Sequence, residues 1–295
     1  MKHIAIGMLS LTAAVMTVTA MASPFNWAPV DQAMGRKGAD QAGGVHKYSF
    51  PRSDLKVTVD GVAIKPALAL GGWVAFQPMD SRAMLMGDLV LTDTEISPVM
   101  ERLLIGGVQI TAVHNHLLRT SVPVFYMHVG GLGDAVELAR TLHEALALSK
   151  TPLGLPSPAA SQPMALDTAA LDHAIGRKGK ANGGVYQFSI PRAEAVRDAG
   201  MIVSPAMGTA TSINFEPTGD GKAAVTGDFV LLGREVNPVL KTLRQNGIEV
   251  TALHSHMIED SPHLFFMHFW ANDDAKKLAE ELRAALDQAH LKSAM

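Results

Sequence analysis

The chain is written twice. Gly35-Arg36-Lys37-Gly38 returns as Gly176-Arg177-Lys178-Gly179, Gly43-Gly44-Val45 as Gly183-Gly184-Val185, and Pro51-Arg52 as Pro191-Arg192. Gly87-Asp88 reappears as Gly227-Asp228, Pro98-Val99 as Pro238-Val239, and Thr111-Ala112 as Thr251-Ala252. The spacing is 141 residues at the first motif and 140 thereafter, so one loop residue separates the copies between Gly38 and Gly43. A period this long marks a duplicated domain, because solenoid repeats run to about 20–50 residues. The segment TPLGLPSPAASQPMA between the copies is punctuated by Pro152, Pro156, Pro158 and Pro163 and reads as a linker over 151–166. Repeat domains are expected over 28–150 and 167–291.

Each copy shows the same order of local signals. A short helix near Val30–Met34 ends at the GRKG turn, and Val45–Phe50 alternates like a strand. Leu55–Val59, Leu70–Gln77 and Ala83–Leu91 are rich in branched and aromatic residues and read as further strands. Thr92 with Glu95 forms a capping-box signature, followed by Ile96, Val99, Met100, Leu103 and Leu104 at helical spacing until Gly106-Gly107. Val108–His114 and Val124–Val129 read as paired strands, and Ala135–Ala147 as a closing amphipathic helix. The pattern predicts an α+β protein of two tandem homologous α/β sandwich domains, with mostly antiparallel sheets and a pseudo-two-fold relation. Val196–Met207 is expected to be more irregular than its counterpart in the first copy.

Composition narrows the function. The chain of 295 residues is 47% apolar, carries a formal charge of −3 and has no cysteine. The near-neutral balance argues against nucleic acid as a partner, and the missing cysteines exclude disulfides, thiolate metal sites and cysteine nucleophiles. Lys2 and His3, the apolar run Ile4–Val18 and Ala20-Met21-Ala22 together read as a signal peptide over 1–22, cleaved after Ala22. A periplasmic or secreted protein, with no membrane insertion after cleavage, is the expectation.

The histidines carry the chemistry. His114-Asn115-His116 is followed by His128, and His254-Ser255-His256 by His268, so both copies read H-x-H-x11-H. On a strand, residues two apart share a face, and pairing about a turn near Thr120 brings His128 opposite Ala112, on the face of His114. Three imidazoles can therefore meet, as ligands of a divalent transition metal such as Zn or Cu. The alternative is that the rings only hydrogen-bond across the hairpin. The spacing also leaves open whether the copies form separate sites or one. Asp88 and Asp228, beside a recurring glycine, are candidate catalytic groups that could ligate, orient a ligand or activate metal-bound water. Glu95 and Glu235 are weaker candidates, Glu95 having a capping role that Glu235, with no Ser or Thr three residues earlier, does not share. His46, His143, His173, His263 and His290 lack counterparts and are expected in solvent.

Arg36, Lys37, Arg177 and Lys178 lie between glycines and are candidate anion-binding cations. The competing reading is a helix C-cap, with glycine in the left-handed region and cations at the negative helix end. Methionines such as Met84, Met86, Met127 and Met267 read as core filling; Met127 and Met267 precede the third His and so face away from it. No G-x-S-x-G, H-E-x-x-H or C-x-x-C motif is present.

Through Arg36-Lys37-Gly38, Gly43-Gly44-Val45, Phe50-Pro51-Arg52, Gly87-Asp88-Leu89-Val90-Leu91, Thr111–Leu117 and Met127-His128, the sequence resembles the LppY/LpqO family of bacterial exported proteins. The resemblance implies an envelope protein of tandem related domains and no established reaction. Actinobacterial relatives look like lipoproteins, whereas this chain has no cysteine to lipidate, which favours soluble residence. The leading expectation is an exported protein that binds a divalent metal, or a small ligand through it. A metal-dependent envelope hydrolase and a non-catalytic interaction module with structural histidines are the alternatives.

Overall fold

The computed structural model describes residues 25–154 and 164–293; the signal peptide expected over 1–22 and most of the expected linker lie outside them. In the first copy the chain runs α1 (Ala28–Met34), β1 (Ala39–Asp40), β2 (His46–Pro51), β3 (Thr58–Val59), β4 (Val62–Ala63), α2 (Pro66–Ala69), β5 (Gly71–Met79) and β6 (Arg82–Thr92). It continues through α3 (Asp93–Ile105), β7 (Gln109–His114), β8 (Val124–Gly133) and α4 (Ala135–Leu146). The second copy repeats this with α5 (Thr168–Ile175), β9 (Lys180–Asn182), β10 (Val185–Pro191), β11 (Arg197–Asp198), β12 (Met201–Ile202), β13 (Ala210–Gly219) and β14 (Lys222–Leu232). It ends with α6 (Gly233–Gln245), β15 (Glu249–His254), β16 (Asp260–Ser261), β17 (Leu264–Asp274) and α7 (Ala275–Leu286).

Each copy builds one six-stranded antiparallel sheet, ordered β1-β2-β5-β6-β8-β7 and β9-β10-β13-β14-β17-β15. Alternation then sorts the side chains. Tyr48, Phe50, Val74, Leu85, Leu89 and Met127 face α1, α3 and α4 in one core, and Tyr186, Phe188, Phe229 and Met267 do the same beneath α5, α6 and α7. The opposite faces of the two sheets are pressed against each other. Val45, Ala75 and Met86 share one cluster with Val230, Leu264 and Phe266, and Val90, Val124 and Tyr126 share another with Val185, Ala224 and Trp270. The molecule is a helix–sheet–sheet–helix sandwich, and this second buried face explains why β6 is buried along nearly its whole length. Gln77 and Arg119 tie the copies at the edges, Gln77 donating to Ile202 O and accepting from Ser204 N, Arg119 reaching Glu249 and Asp60.

The repeated motifs acquire physical reasons. Gly35 and Gly176 are left-handed helix C-caps at φ 72°, and Asp31 and Asp172 each accept from the N–H of the second glycine, Gly38 or Gly179. The Pro-Arg motif places Arg52 and Arg192 in the interior, where they donate to Glu95 and Glu235 and to Val90 O and Val230 O. The same carboxylates accept from Thr92 N and Leu232 N, both at 2.8 Å. Glu235 thus caps its helix despite lacking a preceding hydroxyl residue, because this half of the box needs only the backbone N–H. The strand expected over 55–59 shrinks to Thr58–Val59, and the irregular stretch after Val196 forms β11 and β12, with β11 pairing β16.

Gly227 is fixed by proximity: a Cβ there would stand 2.0 Å from Ser212 O of the neighbouring strand. Gly227→Ala is expected to cost about 1–3 kcal/mol through forced strand displacement. Urea denaturation measures it, and an unchanged midpoint would remove this account of the Gly-Asp motif.

Candidate metal centre

The histidines sit where the two sheets meet. In copy one, β7 pairs β8 with Ala112 opposite His128, the register the hairpin reading requires, and β15 repeats it with Ala252 opposite His268. Both edge strands are bulged, at Thr111 and Thr251, within the recurring Thr-Ala motif. The residue inside each H-x-H ties the loop to the returning strand: Asn115 Nδ2 donates to Val124 O, and Ser255 Oγ to Leu264 O. Thr251 Oγ1 crosses to the first copy and donates to His116 O at 2.6 Å.

All six rings converge in one cluster. His114 and His254 lie 3.5 Å apart between ring centroids, His116 and His268 3.7 Å, and His128 and His256 3.7 Å. The last two contacts are the same contact seen from each copy, as a pseudo-two-fold axis between His114 and His254 demands. His116 is further stacked on Tyr126, and His256 on the equivalent Phe266, both at 3.4 Å. The ligand nitrogens of His114, His116, His128 and His254 lie within 4.8 Å of one another, as do those of His254, His256 and His268.

Hydrogen bonding fixes which nitrogens remain available. His114 Nδ1 donates to Asn115 O and His268 Nδ1 to Gly227 O, so in the neutral tautomer each presents a bare Nε2 inward. His116 Nε2, His256 Nε2, His268 Nε2 and both nitrogens of His254 are buried and have no partner within the protein among the described residues. His128 Nε2 and His114 Nε2 approach to 2.9 Å. Burial, reinforced by the neighbouring rings, depresses the pKa of His116, His128, His256 and His268 far below the imidazole range. Burial likewise pushes His254 down to about 3. The rings are therefore neutral at physiological pH, the state in which imidazole ligates.

Asp88 lies beneath this cluster, opposite His128 in the sheet, with its oxygens 3.9 Å from His128 Nδ1 and His116 Nε2. Its Oδ1 has no hydrogen-bond partner among the described residues, and burial beside Asp228 raises its pKa well above the carboxylate range. Asp228 differs: Ser212 Oγ donates to it at 2.6 Å, and burial lifts it to about 6. Lys47, absent from the sequence expectations, acts on both carboxylates; burial lowers it to about 8 while the two aspartates pull it back up. Its Nζ stands 3.8 Å over the Trp73 ring. Strand alternation opposite Tyr48 and Phe50 could have placed Lys47 on this face, but that face reads as solvent until a second sheet covers it.

The other candidates lie elsewhere. Arg36 stacks over Phe50, on the helix side of the sheet and so across it from the histidines, and Arg177 donates to Lys292 O. Lys37 and Lys178 flank these arginines in the same two turns. Glu95 and Glu235 are committed to the buried arginines. His46, expected in solvent, is 4% exposed, its nitrogens 2.9 Å from Asp31 Oδ1 and 2.7 Å from Asp40 Oδ1 and its ring stacked on Trp27. Its neighbours supply what solvent would have. Two surface cavities of about 320 and 370 Å³ lie at equivalent places beside Glu95 and Glu235, and no residue of the histidine cluster lines them.

A duplicated α+β chain with a histidine-lined seam matches one family model twice, over residues 28–148 and 169–288. It belongs to the family described as Domain of Unknown Function (DUF1259). No curated protein matches it. Among solved structures it is similar to the trimeric bacterial microcompartment shell protein PduB at 13% identity, over 84% of this chain and 88% of that one, with a TM-score of 0.21. It is similar to EtuB from Clostridium kluyveri at 7% identity, over 85% and 88%, with a TM-score of 0.20. No helix among the described residues is long and apolar enough to cross a membrane.

Proposed function

We propose that this is an exported, periplasmic metal-binding protein whose site is the six-histidine seam between its two copies, selecting a divalent transition metal such as zinc or copper. One observation carries the reading: buried ring nitrogens from both copies gather within 4.8 Å of one another, and five of them have no hydrogen-bond partner among the described residues. Burying such groups unpaired is costly, by about 1–3 kcal/mol each, and a metal ion satisfies several at once. Three nitrogens on a tetrahedral ion at about 2.0–2.1 Å stand roughly 3.4 Å apart, a modest closure from the separations present. The absence of thiolates and the presence of Asp88 suit an ion of borderline hardness.

Elemental analysis of tag-free protein dialysed against zinc is expected to show bound metal that His114→Ala/His116→Ala reduces. Competition with a chromophoric chelator is expected to show affinity weakened by more than about 100-fold, since even residues that merely orient a ligand are worth 10–100-fold. No metal in either protein overturns the reading. Export itself is tested by fractionating cells that express the full chain: recovery in the periplasm shortened by the leader supports it, and full-length cytoplasmic protein contradicts it.

A further inference from the structure

Six histidines can share one ion or divide between two, and the ring geometry separates these cases. Imidazoles bound to a common ion aim their in-plane lone pairs at it, which sets ring centroids roughly 4.5–5.2 Å apart at ordinary metal–nitrogen lengths. Rings lying face to face at van der Waals distance have lone pairs that run side by side and do not meet at one atom.

Within copy one the centroids of His114 and His116 are 4.8 Å apart, those of His114 and His128 5.0 Å, and those of His116 and His128 5.9 Å. Within copy two the corresponding first two separations are again 4.8 and 5.0 Å. Between copies the closest contacts are two stacks at 3.7 Å, His116 on His268 and His128 on His256, and a pair inclined at 38°, His114 and His254, at 3.5 Å. The cluster is thus two three-histidine sets laid against each other through two stacked contacts. In each set the ring of His114 or His254 stands at common-ion spacing from the other two, and His116 and His128, at 5.9 Å, must close by several tenths of an ångström.

We propose that the seam holds two metal ions, one per copy, as a close pair. This rests on the metal-binding reading above and deepens it. Ions centred in the two sets are separated by about the ring-stacking distance, which falls in the roughly 3.5–4 Å range of paired-metal sites. Two cations that close repel, so an anionic oxygen must accompany them. Asp88, buried with Oδ1 unpartnered and its two oxygens 3.9 Å from two rings of the cluster, is the carboxylate placed to supply it.

Copper(II) serves as the probe. Titration of the metal-free protein, followed by native mass spectrometry and electron paramagnetic resonance, is expected to give two ions per chain. The spectral intensity should fall below that of two isolated ions because the close pair is spin-coupled. Emptying one set with His116→Ala/His128→Ala, or the other with His256→Ala/His268→Ala, is expected to leave one ion per chain with the full signal of an isolated centre. Circular dichroism checks that each variant folds, and glutamine replaces alanine where it does not. One ion in the parent protein, lost entirely in both double variants, overturns the pair in favour of a single shared ion. Two ions with undiminished signal overturn the spacing. No copper bound at all overturns the metal reading as well.

Discussion

Acidifying the metal-free protein from pH 7.5 to 5 is expected to destabilise it by several kcal/mol, beginning near pH 6.5. The sign follows from the six rings. Each has its folded pKa depressed by burial, so below the unfolded value of about 6.5 the unfolded chain takes up protons that the folded chain refuses. Stability is therefore complete above about pH 6.5 and is lost as pH falls toward the folded values. Each ring that stays neutral contributes a loss of up to about 1.4 kcal/mol per pH unit. Asp88 and Asp228, raised by burial, act in the opposite sense, but they are two groups against six. Glu95 and Glu235 join the loss only below about pH 4.3. Burial raises them, but hydrogen bonds from Arg52 and Arg192, led by those guanidinium groups and aided by backbone N–H donors, leave both below their usual range. Urea midpoints measured across this range check the expectation, and saturating zinc should move the fall to lower pH because the bound ion competes with protons. A midpoint constant from pH 7.5 to 5 would show that the rings titrate as if solvated.

The second large effect lies at the buried arginines. Removing the arginine alone, as in Arg192→Leu, is expected to cost about 3–5 kcal/mol, because it strands the Glu235 carboxylate, 5% exposed. Glu235→Leu is expected to cost less, because Glu194 still accepts from Arg192 at 2.8 Å. The pairing is bidentate, at 2.7 and 3.0 Å, and Glu235 also holds Leu232 N and His290 N. Removing both together should cost less than the sum, since no uncompensated charge remains, although two backbone donors lose their acceptor. A double-mutant cycle in urea gives the coupling. Additive losses would mean that the pair contributes no more than two independent side chains.

Much of the fold was readable because its determinants are local. The duplication, the alternation in β2, the helical spacing after Thr92 and the opposed positions of Ala112 and His128 are statements about neighbours along the chain or across one hairpin. The three-histidine set of each copy was legible for the same reason. Stacking of one set on the other was not, since no spacing within a copy states which face the second copy will cover. The near-continuous apolar run Ala83–Leu91 was the available signal: a strand buried on both faces needs a second layer, and that layer is what lays the histidines of one copy against those of the other. His46 was misplaced because Asp31, Asp40 and Trp27 reach it only through the folded turn between α1 and β2.

Anomalous diffraction at the zinc edge, from crystals of tag-free protein grown with zinc, addresses the seam most directly. The account predicts peaks enclosed by His114, His116, His128, His254, His256 and His268. Peaks confined to exposed histidines such as His263, and none among these six rings, would contradict it.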